Sequence, residues 1–308
     1  MDSDTERWKS LDAASYNGVA KQFDAHSHRL AYPVAARLVE LAALRAGERA
    51  MDVGTGTGMV PFEVARVAPA GCSIVGVDIS TGMIEMARRN AERRGLPPSR
   101  VAFRQMDAEA LDTRDGEYDV MLSAFALGHM PNPERAVDEM FRALRPGGRL
   151  LITVGSRPPL FSVSTITHSL AELRRRAQAL RGRRRSSDLL DAVVDRRLPP
   201  ETGQPEGSPL ATQLSRAKPL ATLLQSSGFI GIEQTWQNYQ NEIATVDEFW
   251  DMQRTICTRA RKRLLDAPDA LVETVKGEFE ALCQSTLRRG GHLVFPISAV
   301  FVSGRKPG

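Results

Sequence analysis

Glu48-Arg-Ala-Met-Asp-Val-Gly-Thr-Gly-Thr-Gly-Met-Val-Pro-Phe-Glu-Val-Ala65 is the stretch that decides the fold of this chain. Ala50–Val53 is an apolar run typical of a short buried strand, and apolar residues recur at helical spacing over Met59–Val67. Between them, Gly54–Gly58 predict a tight turn, because glycine reaches positive φ and lets the backbone lie against a ligand. Strand, glycine-rich turn and helix together predict the beginning of a nucleotide-binding βαβ unit.

Two acids accompany this turn. Asp52 stands two positions before the first glycine, and Cys72-Ser-Ile-Val-Gly-Val-Asp78 predicts a second buried strand that ends in an acid. An acid at that position accepts both hydrogen bonds from a ribose diol. The spacing is G-x-G-x-G, with Met59 where dinucleotide dehydrogenases carry the third glycine of G-x-G-x-x-G. The turn therefore argues against a nicotinamide-dependent oxidoreductase.

Composition indicates an ordinary globular protein. The chain has 308 residues, with 41 Lys and Arg against 37 Asp and Glu, a mildly basic balance that does not by itself imply nucleic acid. Cys72, Cys257 and Cys283 show no C-x-x-C spacing, so we expect neither a metal site nor a disulfide framework. The polar, acidic N-terminus reads as neither a signal peptide nor a membrane span. We expect a cytoplasmic protein.

The residues quoted above resemble motif I and the second-strand acid of class I S-adenosylmethionine-dependent methyltransferases. Further segments resemble the same family in the same order: Asp78-Ile-Ser-Thr-Gly-Met83, Asp107-Ala108, Tyr118–Met130 and Leu144-Arg-Pro-Gly-Gly148. The resemblance covers roughly residues 45–155 well and 214–236 and 290–308 more loosely. It is strongest to the ubiquinone/menaquinone-type and secondary-metabolite methyltransferases. It implies an α/β fold, a doubly wound seven-stranded sheet with helical lid insertions.

The resemblance also implies a set of residues that bind S-adenosylmethionine: Tyr16, Phe23, Asp52, Gly54, Thr55, Gly56, Gly58, Asp78, Ile79, Met83, Asp107, Ala108 and Ser123. In the family, the acid at the position of Asp107 accepts a hydrogen bond from the adenine amine. Other interpretations stay open for several of these residues. Tyr16 and Phe23 also fit core aromatics seven apart on one helix face, Met83 also fits plain helix core, and Asp107 also fits a surface loop.

The acceptor side of the site is predicted from the fourth strand and its loop. That strand should open at its carboxyl end into the ligand crevice, which places Ser123, Phe125 and His129 near the reacting methyl group. His129 is the candidate base or orienting group, although a structural histidine remains an alternative. A base is needed only if the acceptor is a hydroxyl, an ammonium or an acidic carbon. The predicted acceptor pocket consists of Phe125, His129, Met130, Phe161, Trp236 and Trp250.

The rest of the chain predicts one domain, 1–308, with helical additions. We expect one or two short cap helices within 8–30, a separate helix over Pro33–Leu44, a core of 31–155 and 214–308, and lid insertions at about 156–213 and 240–290. The first insertion carries an arginine run at 174–185 that would support an RNA methyltransferase. It lacks the interleaved aromatics of a strand-binding surface, so we interpret it as a solvated helix face.

These patterns predict an enzyme that transfers a methyl group from S-adenosylmethionine to a small, bulky and partly apolar metabolite at oxygen, carbon or nitrogen. The cofactor motifs alone do not exclude a methyltransferase-like catalyst of cyclisation or rearrangement, since cofactor binding would retain them. We expect no nucleic-acid partner, no membrane span and no metal, and we leave a homodimer open.

Overall fold

The computed structural model describes residues 3–155, 189–198 and 217–308. Its first half contains α1 (Ser3–Asn17), α2 (Ala20–Ala42), β1 (Arg49–Val53), α3 (Met59–Val67), β2 (Ser73–Asp78), α4 (Thr81–Arg93), β3 (Val101–Gln105), β4 (Tyr118–Ala124), a 3₁₀ turn (Leu127–His129) and α5 (Pro133–Ala143). The second half contains β5 (Leu144–Gly155), α6 (Leu189–Arg197), α7 (Ala217–Ser226), β6 (Ile230–Ile243), α8 (Val246–Ile256), α9 (Thr258–Leu265), α10 (Asp269–Arg288) and β7 (Leu293–Arg305). The strands form one sheet.

That sheet has seven strands in the order β3-β2-β1-β4-β5-β7-β6. β1 to β5 pair in parallel, whereas β7 lies antiparallel to both β5 and β6. The strand order reverses between β1 and β4, and open α/β sheets bind ligands at the carboxyl ends of the strands beside such a reversal. The predicted doubly wound seven-stranded fold is confirmed.

Apolar residues cover both faces of the sheet. On one face Met51, Met121 and Ile152 pack with residues of α5 and α7, and on the other Ala50 and Leu122 pack with α2, α3 and α4. Because a central parallel strand is buried on both sides, its sequence reads as a continuous apolar run without alternation. The polar exceptions at the carboxyl ends of β1, β2 and β4 therefore mark the site.

The second helix differs from the sequence prediction. α2 runs without interruption from Ala20 to Ala42 and contains Pro33, where the sequence predicted that a new helix begins. Proline in a helix interior removes one hydrogen bond and costs roughly 3 kcal/mol. Here Leu30, Val34 and Leu38 form one fully buried stripe across the proline. Burying that stripe outweighs the lost bond, so the helix continues.

A helical cap, which we define as α6 and α8–α10, lies beside the long ends of β6 and β7. Its core contains Phe249, Trp250 and Phe279, with ring centroids 5.4 to 5.6 Å from Phe279. The helices of the cap fall within the predicted insertion at about 240–290, apart from α6. The predicted insertion at 156–213 lies outside the described residues except for 189–198, and so do its arginine run and Phe161.

Candidate active site

The glycine-rich turn follows β1 and is held by β2. Gly54 and Gly56 adopt φ of 75° and 55°, and the N–H groups of Gly54 and Thr55 donate to the carbonyl of Val77 at 2.8 and 2.9 Å. A Cβ on Gly54 would lie 2.1 Å from the Cβ of Ala126, so only glycine lets the loop after β4 rest on this turn. The turn and the β4 loop thus form two adjoining walls.

Asp78 closes the turn from below. Its Oδ2 accepts a hydrogen bond from the N–H of Gly56 at 2.9 Å, and its Oδ1 accepts one from the N–H of Ser80 at 2.9 Å. Burial raises the pKa of Asp78, while these backbone hydrogen bonds lower it. Two carboxylate oxygens offer about four lone-pair positions, so Asp78 keeps acceptor capacity for a ligand.

A crevice of about 810 Å³, open solvent at its mouth included, lies above this turn. We call it the turn crevice. The residues that the sequence predicted for cofactor or acceptor and that line it are Tyr16, Gly54, Gly56, Asp78, Ile79, Met83, Asp107, Ala108, Phe125, His129 and Met130. Contributions from β1, β2, the loop after β3 and the loop after β4 therefore converge as the motif order implied.

Asp52 and Thr55 lie beneath the turn and do not line the crevice. Asp52 is 1% exposed, and neither its carboxylate oxygens nor the Thr55 hydroxyl have a hydrogen-bond partner of ordinary geometry. Burial raises the pKa of Asp52 to about 7, although the neighbouring Thr55 hydroxyl lowers it in part. The structure therefore separates these two residues from the ligand-facing part of the predicted set.

Three more predicted cofactor residues lie behind the crevice wall. The hydroxyl of Ser123 donates to the carbonyl of Val53 at 2.9 Å, so it links β4 to β1. A Cβ on Gly58 would meet the rings of Phe62 and Phe103 at 2.8 Å, which makes this glycine a packing requirement. Phe23 packs edge-on against Tyr16, with ring centroids 5.8 Å apart, and supports that ring.

The two tryptophans of the predicted acceptor pocket lie elsewhere. Trp236 is on β6 and packs against the core cluster that contains α5 and α7. Trp250 is 4% exposed inside the helical cap. The sequence predicted both tryptophans in the acceptor pocket, but the structure packs them against or inside cores. Large aromatic side chains pack in a core as readily as they line a binding site. Neither residue lines the crevice or the cavity described next.

A second, larger cavity, the side cavity, adjoins the turn crevice and has an empty volume of about 1,230 Å³. Its lining is mainly apolar and comes from α2, the 3₁₀ turn after β4, the end of β5, α8 and the start of β7: Ser27, Leu30, Ala31, Gly128, Val154, Gly155, Ile256, Phe295, Pro296, Ile297 and Ser298. Tyr16, Phe125 and His129 line both spaces. These three side chains form the boundary between the crevice and the cavity.

Phe125 holds its place on this boundary in an unusual backbone conformation. Its φ is 57°, in the left-handed region that costs a residue with a Cβ about 1–2 kcal/mol. The N–H of Phe125 donates to the carbonyl of Thr153 at 2.8 Å, so β5 fixes the conformation. Backbone strain of this kind clusters at functional sites.

His129 is the polar centre of the boundary. Its Nε2 lies 3.5 Å from the Tyr16 hydroxyl, and its Nδ1 lies 3.9 Å from Oδ2 of Asp12. Burial lowers the pKa of His129, and Arg261 and Lys262 lower it further, whereas Asp12 raises it. The imidazole is therefore neutral near pH 7 and has a lone pair for a proton.

Sequence reasoning missed the residues that α1 contributes. Trp8, Lys9 and Asp12 line the turn crevice. The Nζ of Lys9 lies 2.7 Å from Oδ2 of Asp107 and 2.8 Å from Oε2 of Glu109, with only 7% of the Lys9 side chain exposed. No local pattern signals this contact, since about 100 residues separate the partners. The ammonium of Lys9 therefore occupies one hydrogen-bonding side of Asp107.

The crevice fits an adenosyl group that carries a sulfonium. The turn offers backbone that no Cβ obstructs, Asp78 can accept hydroxyl donors, and Met83 and Ile79 present an apolar wall. The buried carboxyl group of Asp52 beneath the turn, whose pKa burial raises to about 7, has no cationic side chain among the described residues paired with it. Among the residues that the structure describes, no cluster of His, Cys, Asp and Glu could hold a metal ion.

Comparison with known proteins agrees with this architecture. Residues 51–152 match a family model described as a methyltransferase domain. The chain is 40% identical over 123 residues to the demethylmenaquinone methyltransferase of Thermus thermophilus, covering 40% of this chain and 54% of that protein. It is 29% identical over 163 residues to the ubiquinone/menaquinone biosynthesis C-methyltransferase UbiE of Yersinia enterocolitica, covering 52% of this chain and 64% of that protein.

The chain thus spans about half to two thirds of the length of the curated relatives it matches. The fold also matches the phosphoethanolamine N-methyltransferase 2 of Haemonchus contortus, with a TM-score of 0.52 and 16% identity over all of this chain and 61% of that one. That likeness concerns the fold alone. Residues 51–152 thus match a methyltransferase domain in sequence, and the sheet order and the turn crevice agree with that match.

Proposed function

We propose that this protein transfers a methyl group from S-adenosylmethionine, bound in the turn crevice, to a small molecule bound in the side cavity. The observation that carries the proposal is the shared boundary: Tyr16, Phe125 and His129 line both spaces. A displacement between two bound molecules requires that their reacting atoms meet at such a boundary with water excluded.

The residues of the turn crevice would hold the cofactor by separate contacts. Asp78 would accept the ribose hydroxyls, Ile79 and Met83 would pack on the adenine, and Asp107 would accept from its amine in place of Lys9. When bound, S-adenosylmethionine supplies an electrophilic methyl group on a sulfonium that leaves as a thioether. The protein then needs alignment more than covalent chemistry.

At the boundary, Tyr16 and His129 are placed to assist an acceptor molecule that loses a proton when it is methylated. Neutral His129 has its Nε2 lone pair on the side of Tyr16, and Asp12 lies on the Nδ1 side, where an N–H donor fits. Burial raises the pKa of Tyr16, so its hydroxyl stays protonated and acts as a donor. His129 would accept the proton of the acceptor, and Tyr16 would donate to the oxygen that carried it.

The lining of the side cavity supports a bulky, largely apolar acceptor. Leu30, Val154, Ile256, Phe295 and Ile297 surround it, and the described part of its lining contains no Asp, Glu, Lys or Arg. By their names, one of the two relatives above methylates demethylmenaquinone and the other is a C-methyltransferase of ubiquinone and menaquinone biosynthesis. We therefore propose a quinol-type aromatic ring as the acceptor, with an acidic hydroxyl or ring carbon as the methylated atom.

We also propose that the chain acts as one unit in which the helical cap and α1 close the site. Arg29 of α2 forms an ion pair with Glu248 of α8, and Lys262 of α9 lies 2.6 Å from Asp12 of α1. These ion pairs connect the core, the N-terminal helix and the cap around the side cavity. Among the described helices, none is long and apolar enough to cross a bilayer.

Transfer of label tests the function. The full chain is incubated with methyl-labelled S-adenosylmethionine and a reduced 1,4-naphthoquinol, and products are separated by mass. We expect labelled naphthoquinol, and we expect His129→Gln to lower kcat by roughly 10²–10⁴-fold, the usual contribution of a general base. Leu271→Gln, at an exposed position of α10, is the matched control and should leave the rate unchanged.

The outcomes separate the alternatives. A rearranged acceptor without label would support a cyclase-type reaction and contradict methyl transfer. Label that appears only in added RNA, with binding that weakens steeply as salt rises, would support an RNA methyltransferase instead. Wild-type turnover of His129→Gln would remove His129 from the chemistry while leaving the cofactor site in place.

A further inference from the structure

The largest fully buried side chain of the described residues belongs to Arg261 on α9. Arg261 is only 1% exposed. Its Nη1 donates a hydrogen bond to the carbonyl of Thr255 at 2.8 Å, and its Nη2 donates one to the hydroxyl of Ser15 at 3.4 Å. Its Nε has no hydrogen-bond partner, and no carboxylate among the described residues forms an ion pair with it. A buried charge without a counterion is costly, so what it contacts requires explanation.

The guanidinium of Arg261 lies over the ring of Tyr16, 3.9 Å from the ring centroid. Tyr16 in turn contacts His129, with the hydroxyl 3.5 Å from Nε2 and the ring centroids 5.8 Å apart. Arg261, Tyr16 and His129 therefore follow one another toward the boundary of the two cavities. A cation over an aromatic face is attracted to the ring, and more strongly where water is excluded.

The charges around His129 come from two helices. α1 supplies Asp12, which lies 3.9 Å from Nδ1, and α9 supplies Arg261 and Lys262, of which Lys262 is already paired with Asp12 at 2.6 Å. Of these two positive charges near His129, Arg261 is therefore the one that forms no ion pair with a carboxylate of the described residues. Both Arg261 and burial lower the pKa of His129.

We propose that Arg261 is a positioning residue for the methyl-transfer site: its guanidinium holds the Tyr16 ring against His129 and opposes a second positive charge there. The role given to Arg261 in methyl transfer rests on the proposed function, whereas the test below depends only on the contacts among Arg261, Tyr16 and His129. Arg261 also fastens α1 to the helical cap, since Ser15 and Thr255 belong to α1 and α8.

The test is an NMR titration of the full chain labelled with ¹⁵N-histidine. The protein has five histidines, and the signal of His129 is assigned by its loss in His129→Gln. Arg261→Gln removes the charge but keeps an amide donor, and we expect it to raise the pKa of His129 by about half a unit or more. We also expect it to abolish the cross-relaxation between the rings of Tyr16 and His129.

Two variants control this experiment. Arg261→Lys keeps the charge, so the titration of His129 should stay as in the wild type. Arg263→Gln alters another buried arginine of α9 that bonds to Asp195 and to the carbonyls of Val194 and Leu198, and it should leave both readouts unchanged. An unaltered His129 titration in Arg261→Gln, with the ring contact intact, would overturn the proposal.

If Arg261→Gln does not fold, Arg261→Met takes its place, because it removes the charge and fills similar buried space; the same raised pKa of His129 and lost ring contact would support the proposal, and an unaltered titration with the ring contact intact would overturn it. The labelled-transfer assay provides the functional arm. The acid limb of the rate profile should move to higher pH in Arg261→Gln, whereas a purely structural role would lower the rate at all pH values alike. Loss of transfer in every protein, with the titration result as expected, would reject the proposed function and leave the contact standing.

Discussion

At the scale of single residues, two carboxyl groups at opposite ends of the sheet, the buried Asp52 and the half-buried Asp119, are arranged in opposite ways. Asp52 sits under the glycine-rich turn without a hydrogen-bond partner, while Asp119 at the other end of the sheet accepts from the N–H of Arg49 at 2.8 Å and pairs with Arg145. Burial raises the pKa of Asp52 to about 7, and the two partners hold the pKa of Asp119 below its usual range. Only Asp52 is therefore destabilising in its charged form.

This contrast predicts how stability changes with pH. Asp52 keeps its proton in the folded state up to about pH 7 but loses it near pH 4 when unfolded, so the free energy of unfolding falls as pH rises between these values. We expect Asp52→Asn to remove that loss and to stabilise the apo protein at pH 8 by roughly 2–4 kcal/mol, with little effect at pH 4. Thermal unfolding at both pH values measures it.

Asp119→Asn is the control of opposite sign. Its folded-state pKa is lowered, so the carboxylate stabilises the protein above about pH 4 and stops doing so as pH falls through the folded-state value. We expect this variant to be less stable than the wild type at pH 8. An Asp52→Asn protein that gains no stability between pH 4 and pH 8 would show that the carboxylate has a neutralising partner.

At the scale of elements, α1 and α2 are where sequence patterns were least informative. α1 reaches the site through Lys9 and Asp12, and Asn17 at its end accepts hydrogen bonds from the Ser80 hydroxyl and the Gly82 N–H at the start of α4. These contacts join residues 60 to 100 positions apart, so no local period records them. The continuity of α2 could not be predicted, because a proline such as Pro33 by itself predicts a helix boundary.

Replacing this proline tests whether the helix is truly continuous. Pro33→Ala restores an interior N–H that can donate to the carbonyl of Arg29, and Pro33 is exposed, so no core contact is lost. We expect a gain of about 1–2 kcal/mol in the free energy of unfolding, less than the full helix penalty because proline also restricts the unfolded chain. Denaturant unfolding measures the gain.

Pro133→Ala is the matched control. Pro133 lies at the first position of α5, where an N–H has no partner within the helix, and its side chain is buried. This variant should gain nothing and lose some packing. If Pro33→Ala were as neutral or destabilising as Pro133→Ala, the chain would break at Pro33 as the sequence pattern alone predicted.

At the scale of the whole molecule, the sequence was informative where short motifs meet a parallel sheet. The glycine turn, Asp78 and His129 were predicted to share one edge, and the sheet order places them there. The sequence did not place Trp236 and Trp250 correctly, because an aromatic residue type does not distinguish a core position from a pocket position. Arg261 was not predicted, because its hydrogen-bond partner Ser15 is 246 positions away in the sequence. Contacts between helices that are distant in sequence depend on the fold, so no regular spacing of residues in the sequence predicts them.

The central claim is that the crevice above Gly54–Gly58 binds the adenosyl cofactor through Asp78. Isothermal titration with S-adenosylhomocysteine tests it most directly, with Asp251→Ala on the exposed side of α8 as control. The account predicts saturable binding to the wild type and the control, and at least about tenfold weaker binding to Asp78→Ala, the equivalent of one lost hydrogen-bonded contact of about 1.4 kcal/mol. Equal affinity in Asp78→Ala, or no binding to the folded wild type, would contradict it.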